Sequence, residues 1–232
     1  MIYLYKEGDY MEELFKKINI TPKNKDLYIQ AFTHTSYAYE NNLKESYETL
    51  EFLGDAIVDL VVSDYLYRSN KYTEGEMTKI RASYVCENAL YEYANDLHFS
   101  DYIRVGIGES HTGGTHKKAI MADTFESLMG AIYLDLGFEK VKEVALNIII
   151  PYIKDENVKF FKDYKSALQE AVQTTKTPVD YELLEATGPS HDKRFKVAVK
   201  IDGITYATGI GKSKKQAEQE AAKKTMGMLV DK

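Results

Sequence analysis

Tyr47-Glu48-Thr49-Leu50-Glu51-Phe52-Leu53-Gly54-Asp55-Ala56 is the stretch on which the reading of this chain turns. It places three carboxylates, Glu48, Glu51 and Asp55, at positions i, i+3 and i+7, which share one face of a helix. Leu50, Leu53, Ile57, Leu60 and Val61 repeat at helical spacing through and beyond it, so Ser46 to Tyr67 is expected to form one long helix. Three like charges on one face are unfavourable unless a cation or solvent screens them.

A second acidic pair lies further along, Asp123 and Glu126, again at i and i+3, within Ala122-Asp123-Thr124-Phe125-Glu126-Ser127. Small residues stand beside the acids (Gly54, Ala56, Ala122), which would let two helices approach closely. Two acidic faces meeting that way form an oxygen-rich pocket suited to a hard cation such as Mg²⁺. The ordinary reading of a Glu-x-x-Glu pair is a solvated acidic face. These acids, however, sit inside apolar helical runs without the lysine partners a solvated face usually shows. From spacing alone the two readings stand level.

Outward from this centre, residues 1 to about 155 read as helical. Met11 to Ile18 and Lys25 to Phe32 are short amphipathic patterns, and Thr73-Glu74-Gly75-Glu76 is a loop and helix start. Met77 to Ala94 continues with helical period, and Ser110 to Thr115 is a loop. Lys118 to Leu136 is a helix ended by Gly137, and Phe138 to about Asp155 is a last helix that Pro151 kinks or closes. The charged segment Asp155 to Asp163 holds the linker, giving domains at 1–155 and 162–232 joined by 156–161. After it the period changes. Tyr164 to Thr175 is helical, while Asp180 to Glu185, Arg194 to Ile201 and Ile204 to Gly209 are strand-like. Asp202-Gly203 is a two-residue hairpin signal, and Ser213 to Leu229 is a helix with Ser213 as N-cap. The expected fold class is an all-α domain followed by a small α-β-β-β-α domain of the α+β type.

Apolar residues make up 44% and charged residues 28%, as in ordinary globular proteins. The net charge of −6 at first argues against a polyanionic partner. From Lys162 onward, however, 13 Lys and Arg face 10 Asp and Glu, a balance of +3, against 17 and 26 before it, a balance of −9. An acidic body followed by a mildly basic tail suits a catalytic unit with a separate polyanion-binding module. The N-terminus lacks a leader pattern, and Ala145-Leu146-Asn147-Ile148-Ile149-Ile150 is too short to span a membrane. Cys86 stands alone. These features lead to the expectation of a cytoplasmic, reducing setting without membrane contact.

The stretch Glu48 to Ala56 resembles the signature of the ribonuclease III family. Thr33-His34-Thr35-Ser36-Tyr37, Glu74-Gly75-Glu76-Met77, Gly113-Gly114 and Ala122 to Ala131 resemble further family segments in the family's order. The resemblance covers nearly the whole chain. It implies that Glu51, Asp55, Asp123 and Glu126 are the catalytic, metal-binding acids, and that Glu48 and Glu74 support RNA cleavage. It implies Mg²⁺ as cofactor, with Mn²⁺ able to substitute. It further implies a homodimer through the catalytic domain, cleavage of double-stranded RNA to 5′-phosphate and 3′-hydroxyl ends with short 3′ overhangs, and ribosomal RNA precursors as targets. Family members often carry Asn and a basic residue where this chain has Tyr47 and Thr49. A bound divalent cation lowers the pKa of a water and neutralises phosphodiester charge. No Ser/His or Cys/His nucleophile is then required, so His34, His111 and His116 fall outside the chemistry. Asp59 reads as a solvated neighbour and Cys86 as a packing residue. Phe52 and Leu53 suit a subunit interface or the core equally.

The tail resembles the double-stranded-RNA-binding domain at Pro178, Tyr181, Gly188-Pro189-Ser190-His191, Phe195, Gly203, Gly209 to Lys215 and Ala217-Glu218. Lys212, Lys214 and Lys215 surround a helix start, where backbone amides also favour a phosphate. The resemblance places Gln169, Glu170, Pro189, Ser190 and His191 in successive minor grooves near 2′-hydroxyls. His111 to Lys118 is left open as a further phosphate contact. Two other functions remain on the sequence alone: a protein that holds structured RNA without cutting it, and a metal-dependent phosphohydrolase of small molecules. The complete set of four acids disfavours the first, and the tail the second.

Overall fold

The computed structural model describes residues 11–155, 160, 164–173, 178–189 and 193–230. The chain divides into two compact units, Met1–Phe161 and Lys162–Lys232. Among the described residues no helix is long and apolar enough to cross a membrane.

The described residues of the first unit are built on helices: α1 (Glu12–Lys17), α2 (Lys25–Ala31), α3 (Thr35–Glu40), α4 (Glu48–Ser69), α5 (Glu74–Tyr84), α6 (Glu87–Asp96), α7 (Ile107–Ser110), α8 (Lys118–Leu136) and α9 (Phe138–Lys154). Helix α8 is buried almost all round, with Phe125, Leu128, Met129, Ala131 and Ile132 fully inaccessible, the pattern of a central helix. Each fully buried Leu or Phe contributes roughly 1.5–3 kcal/mol, so α8 is the spine of this unit. Helix α4 turns Leu50, Gly54, Ile57, Val58, Val61, Val62 and Leu66 inward and packs along α8. Its C-cap Asn70 takes a left-handed conformation, φ 49°.

Two local features depart from the sequence reading. The expected continuous helix from Met77 to Ala94 is two helices, broken at Val85 and Cys86. The break lets Tyr93 bury completely and donate its hydroxyl to the Tyr84 carbonyl at 3.0 Å, satisfying an orphan acceptor at the end of α5. Helix α5 itself opens with a full capping box, Thr73 with Glu76. Second, α3 was not expected; its N-cap is His34, whose ring nitrogen accepts from the Ser36 amide. Helix α9 has the expected extent, running through Pro151 to Lys154.

The expected linker 156–161 lies outside the described residues except for Phe160. That ring packs against Tyr84, Tyr93 and Tyr152 at centroid distances of 5.7, 5.7 and 5.6 Å, as part of the first unit. Residues 1–10, on which the reading of the N-terminus rests, also lie outside.

The second unit runs α10 (Tyr164–Gln173), β1 (Val179–Thr187), β2 (Arg194–Ile201), β3 (Ile204–Gly211), α11 (Lys214–Val230). The strands form one antiparallel sheet in the order β1-β2-β3. Asp202 and Gly203 both take positive φ, 53° and 74°, the backbone that a two-residue hairpin of primed type requires. Alternation along β2 sends Val199 and Ile201 into a core with Leu168, Val172, Ala221 and Ala222. Gly209 lets α11 close on the sheet: a Cβ there would lie 2.1 Å from the Ala217 carbonyl oxygen.

Candidate active site

The crossing of α4 and α8 builds the site. Two glycines set its closeness. A Cβ on Gly54 would meet the Glu126 carbonyl oxygen at 1.8 Å, and one on Gly130 the Leu50 carbonyl oxygen at 2.4 Å. The two backbones therefore touch one turn from the acids on each helix, which forces those acids together.

Glu51 of α4 meets Asp123 and Glu126 of α8, each offering a carboxylate oxygen within 4.8 Å of the others. Among the described residues no other three His, Cys, Asp or Glu side chains converge in this way. None of these acids, nor Asp55, forms a salt bridge among the described residues. Burial, reinforced by Asp123, Glu48 and Asp55, pushes Glu51 up to about 7. Burial, reinforced by Asp55, Asp123, Glu51 and Asp59, pushes Glu126 up to about 8. Asp123 is also raised, chiefly by burial, with the Tyr47 hydrogen bond opposing that shift and Glu87 adding to it. Half-buried oxygens without a cationic partner, repelling one another, could hold a hard divalent cation.

Of the other expected residues, Asp55 and Glu48 are exposed at the rim, and both act electrostatically on Glu51. Asp59, read as a solvated neighbour, adds to the field on Glu126. Glu74 stands elsewhere within the chain. On α5 it accepts from the Thr78 hydroxyl at 3.2 Å and lines a separate cleft of about 220 Å³ with Ser63, Leu66, Tyr67, Met77 and Arg81. Phe52 is 83% exposed, whereas Leu53 packs half-buried on the core.

Two further residues have a place in this site that the sequence did not reveal. Tyr47 donates its hydroxyl to Asp123 Oδ2 at 3.2 Å, and the His34 ring tilts against the Tyr47 ring at 5.5 Å. Burial pushes His34 down, with the Glu109, Asp123 and Glu48 charges opposing. The sequence marks Tyr47 as a departure from the family pattern at the start of α4, but nothing in its spacing shows that the side chain crosses to α8.

In the second unit Gln169, Pro189, Lys212, Lys214 and Lys215 are all exposed. Ser213 caps α11, its Oγ accepting from the Gln216 amide at 3.2 Å, and the Gln216 side chain accepts from the Lys212 amide at 2.8 Å. The lysines thus flank a formed helix start. The Glu170 side chain, Ser190 and His191 lie outside the described residues.

A helical body with a carboxylate-only site, joined to an α-β-β-β-α unit with lysines at a helix start, defines a nuclease-type protein with a nucleic-acid-binding module. The family model described as Ribonuclease-III-like matches residues 24–153, and that of the double-stranded RNA binding motif matches 164–227. The chain is 45% identical to Ribonuclease 3 of Listeria monocytogenes over 226 residues, covering 94% of this chain and 97% of the relative. It is 41% identical to Ribonuclease 3 of Halalkalibacterium halodurans, covering 98% and 88%. Among solved structures it matches the nuclease domain of ribonuclease III from Campylobacter jejuni with TM-score 0.57 and 39% identity, over 61% of this chain and 96% of that one. That structure is described for flexibility in a region involved in dimer formation. The chain belongs to the ribonuclease III family and is an enzyme of that family.

Proposed function

We propose that the protein is an endonuclease of double-stranded RNA whose phosphodiester hydrolysis depends on Mg²⁺, with Mn²⁺ able to substitute. The observation that carries this reading is the meeting of Glu51, Asp123 and Glu126 across the α4–α8 crossing. With Asp55 at the rim, these residues would hold the cation. When bound, the cation supplies a water of lowered pKa and neutralises charge on the phosphodiester. The protein's own part is to hold four carboxylates in fixed relation through a glycine-spaced helix pair. Glu48 extends the same negative rim, and Glu74 has a supporting role by family resemblance. The products are 5′-phosphate and 3′-hydroxyl ends with short 3′ overhangs.

The tail would seat Lys212, Lys214 and Lys215 on phosphates, with Gln169, Glu170, Pro189, Ser190 and His191 at the minor grooves. Such contacts read A-form shape more than sequence. The proposal includes a homodimer through the catalytic domain. What supports it is the region involved in dimer formation in the similar Campylobacter jejuni domain; Phe52, 83% exposed on α4, is available to such an interface. Processing of ribosomal RNA precursors and other transcripts in the cytoplasm follows from the family. The domains would part at 155 and 162.

The test is incubation of a perfectly paired RNA with the protein in Mg²⁺ and in EDTA, resolved on a denaturing gel. Discrete fragments that need Mg²⁺, and that single-stranded RNA does not yield, are expected. Intact RNA in both lanes with a retained gel shift would leave a protein that binds without cutting.

A further inference from the structure

Tyr47 is fixed at three points. Its amide donates to the Thr33 carbonyl at 2.9 Å, and its carbonyl accepts from the Leu50 and Glu51 amides, both at 2.9 Å, and from the Ser127 hydroxyl at 3.2 Å. Its ring lies against His34, and only 4% of the residue is exposed. Thr33 is itself held, since residues 32–34 pair with Arg104 through Arg104 N to Phe32 O at 2.8 Å and His34 N to Arg104 O at 3.0 Å. The third point is the hydroxyl on Asp123 Oδ2.

Asp123 needs such a hold. The last torsion of an aspartate is broad, so its carboxyl plane has no strong preference of its own. Glu51 and Glu126 crowd it from within the site and Glu87 acts on it from α6, and like charges drive one another apart. Of Asp123 the Ser127 hydroxyl reaches the backbone carbonyl, at 2.8 Å, and not the carboxylate. Tyr47 is the side chain that donates to the Asp123 carboxylate among the described residues.

We propose that Tyr47 is a positioning residue for the cation site: its hydroxyl fixes the Asp123 carboxyl plane in which that acid meets Glu51 and Glu126 around a divalent cation. The inference rests on the reading of those acids as a cation site. It concerns the position where family members often carry Asn, and here the carboxylate of α8 is oriented by a phenol that spans from the start of α4. Such a partner behind a metal ligand is typically worth about 10–100-fold in metal affinity or activity.

The experiment is Mn²⁺ titration of the RNA-free, full-length protein followed by electron paramagnetic resonance, on wild type, Glu126→Gln and Tyr47→Phe. Mg²⁺ dependence of cleavage is measured alongside. The Phe variant keeps the ring on His34 and loses only the donor. Its Mn²⁺ affinity should fall about tenfold, and half-saturating Mg²⁺ for cleavage should rise by a like factor. KM for RNA, and the rate at saturating Mg²⁺, should stay within about twofold, a split that general loosening of the fold would not produce. Mn²⁺ affinity unchanged within about twofold in Tyr47→Phe, with wild-type binding lost in Glu126→Gln, overturns the role of Tyr47 and leaves the cation site standing. Wild-type Mn²⁺ binding that is absent, or indifferent to Glu126→Gln, overturns the cation site and the role of Tyr47 with it. If Tyr47→Phe melts early, the titration is run below its own transition, and the same criterion decides.

Discussion

On the proposed function, the α4–α8 crossing and the start of α11 would handle a polyanion in opposite ways. At the crossing, Glu51, Asp123 and Glu126 are half-buried acids forced together by backbone contact. At α11, Lys212, Lys214 and Lys215 are exposed charges on one short stretch, free of one another's packing. Both units use a glycine to bring a helix against its neighbour, Gly54 against Glu126 and Gly209 against Ala217. Only in the first does the glycine place the functional groups. In the second it builds the core, and the lysines stand outside it. The first site therefore depends on the fine geometry of the fold, while the second depends on charge and on a capped helix end.

The sharpest way to break that contrast is Gly54→Ala. The added methyl would sit 1.8 Å from the Glu126 carbonyl oxygen and 2.4 Å from its carbon, so α4 and α8 must separate. A loss of about 3 kcal/mol or more is expected, the upper range of overpacking, with cleavage abolished. Gly75→Ala is the control: nothing lies within 4 Å of its Cβ, and stability should shift by under about 1 kcal/mol. Thermal melting and a cleavage assay on paired RNA read both. A Gly54→Ala protein that melts and cuts like wild type would show that contact at the crossing does not set the site.

Next in size is Glu126→Gln, which keeps the shape of the crossing and removes one charge. Cleavage should fall by at least about 100-fold, equivalent to roughly 2.7 kcal/mol of barrier. RNA binding measured in EDTA should persist, because the lysines of the other unit are untouched. Abolished binding with cleavage intact would reverse the division of labour between the two regions.

How much of this was legible differs between the regions for physical reasons. The helical period put Glu48, Glu51 and Asp55 on one face, and the same period put Asp123 and Glu126 together. It could not say which of them the crossing buries: Glu51 enters the cluster, while Glu48 and Asp55 stay at the rim, because the line of contact runs through Leu50 and Gly54. Tyr47 reaches Asp123 across 76 residues of chain, and Glu74 ends in another cleft; both are facts of tertiary approach that local spacing does not carry. The break at Val85 and Cys86 was hidden because apolar residues keep helical period across it with no Gly or Pro to mark it. Helix α3 was hidden by its brevity and its histidine cap. The tail was plainer, since alternation along β2, the Asp202-Gly203 turn and the Ser213 cap are all local signals. Leu60, counted toward the buried stripe of α4, is 54% exposed.

A smaller effect separates the regions by pH. Glu51 and Glu126 are raised to about 7 and about 8 from an ordinary 4.5, so the folded, metal-free protein holds protons that the unfolded chain releases. The stability this gives is fully present below pH 4.5 and is lost as pH rises, completely once pH passes about 8. The metal-free protein should therefore lose melting temperature between about pH 5 and about pH 8.5 relative to Glu126→Gln, by a few degrees. Added Mg²⁺ should restore more at the upper end, where the site is deprotonated for binding. A difference between the two proteins that does not vary with pH would mean that Glu126 is not held protonated by its surroundings.

The smallest effect belongs to the lysines. Lys214→Ala with Lys215→Ala removes two exposed charges that stand outside the core of the fold, so melting should not move by more than about 0.5 kcal/mol of stability. RNA affinity should fall about tenfold, alike for paired RNAs of different sequence, since a phosphate contact carries no base information. The slope of log affinity against log salt should shrink by about one for each phosphate left without its lysine. At saturating RNA the cleavage rate should be that of wild type, because the acids are untouched. An affinity change that depends on RNA sequence, with the salt slope unaltered, would instead make this helix start a reader of base edges and would erase the distinction between a site built by packing and a site built by charge.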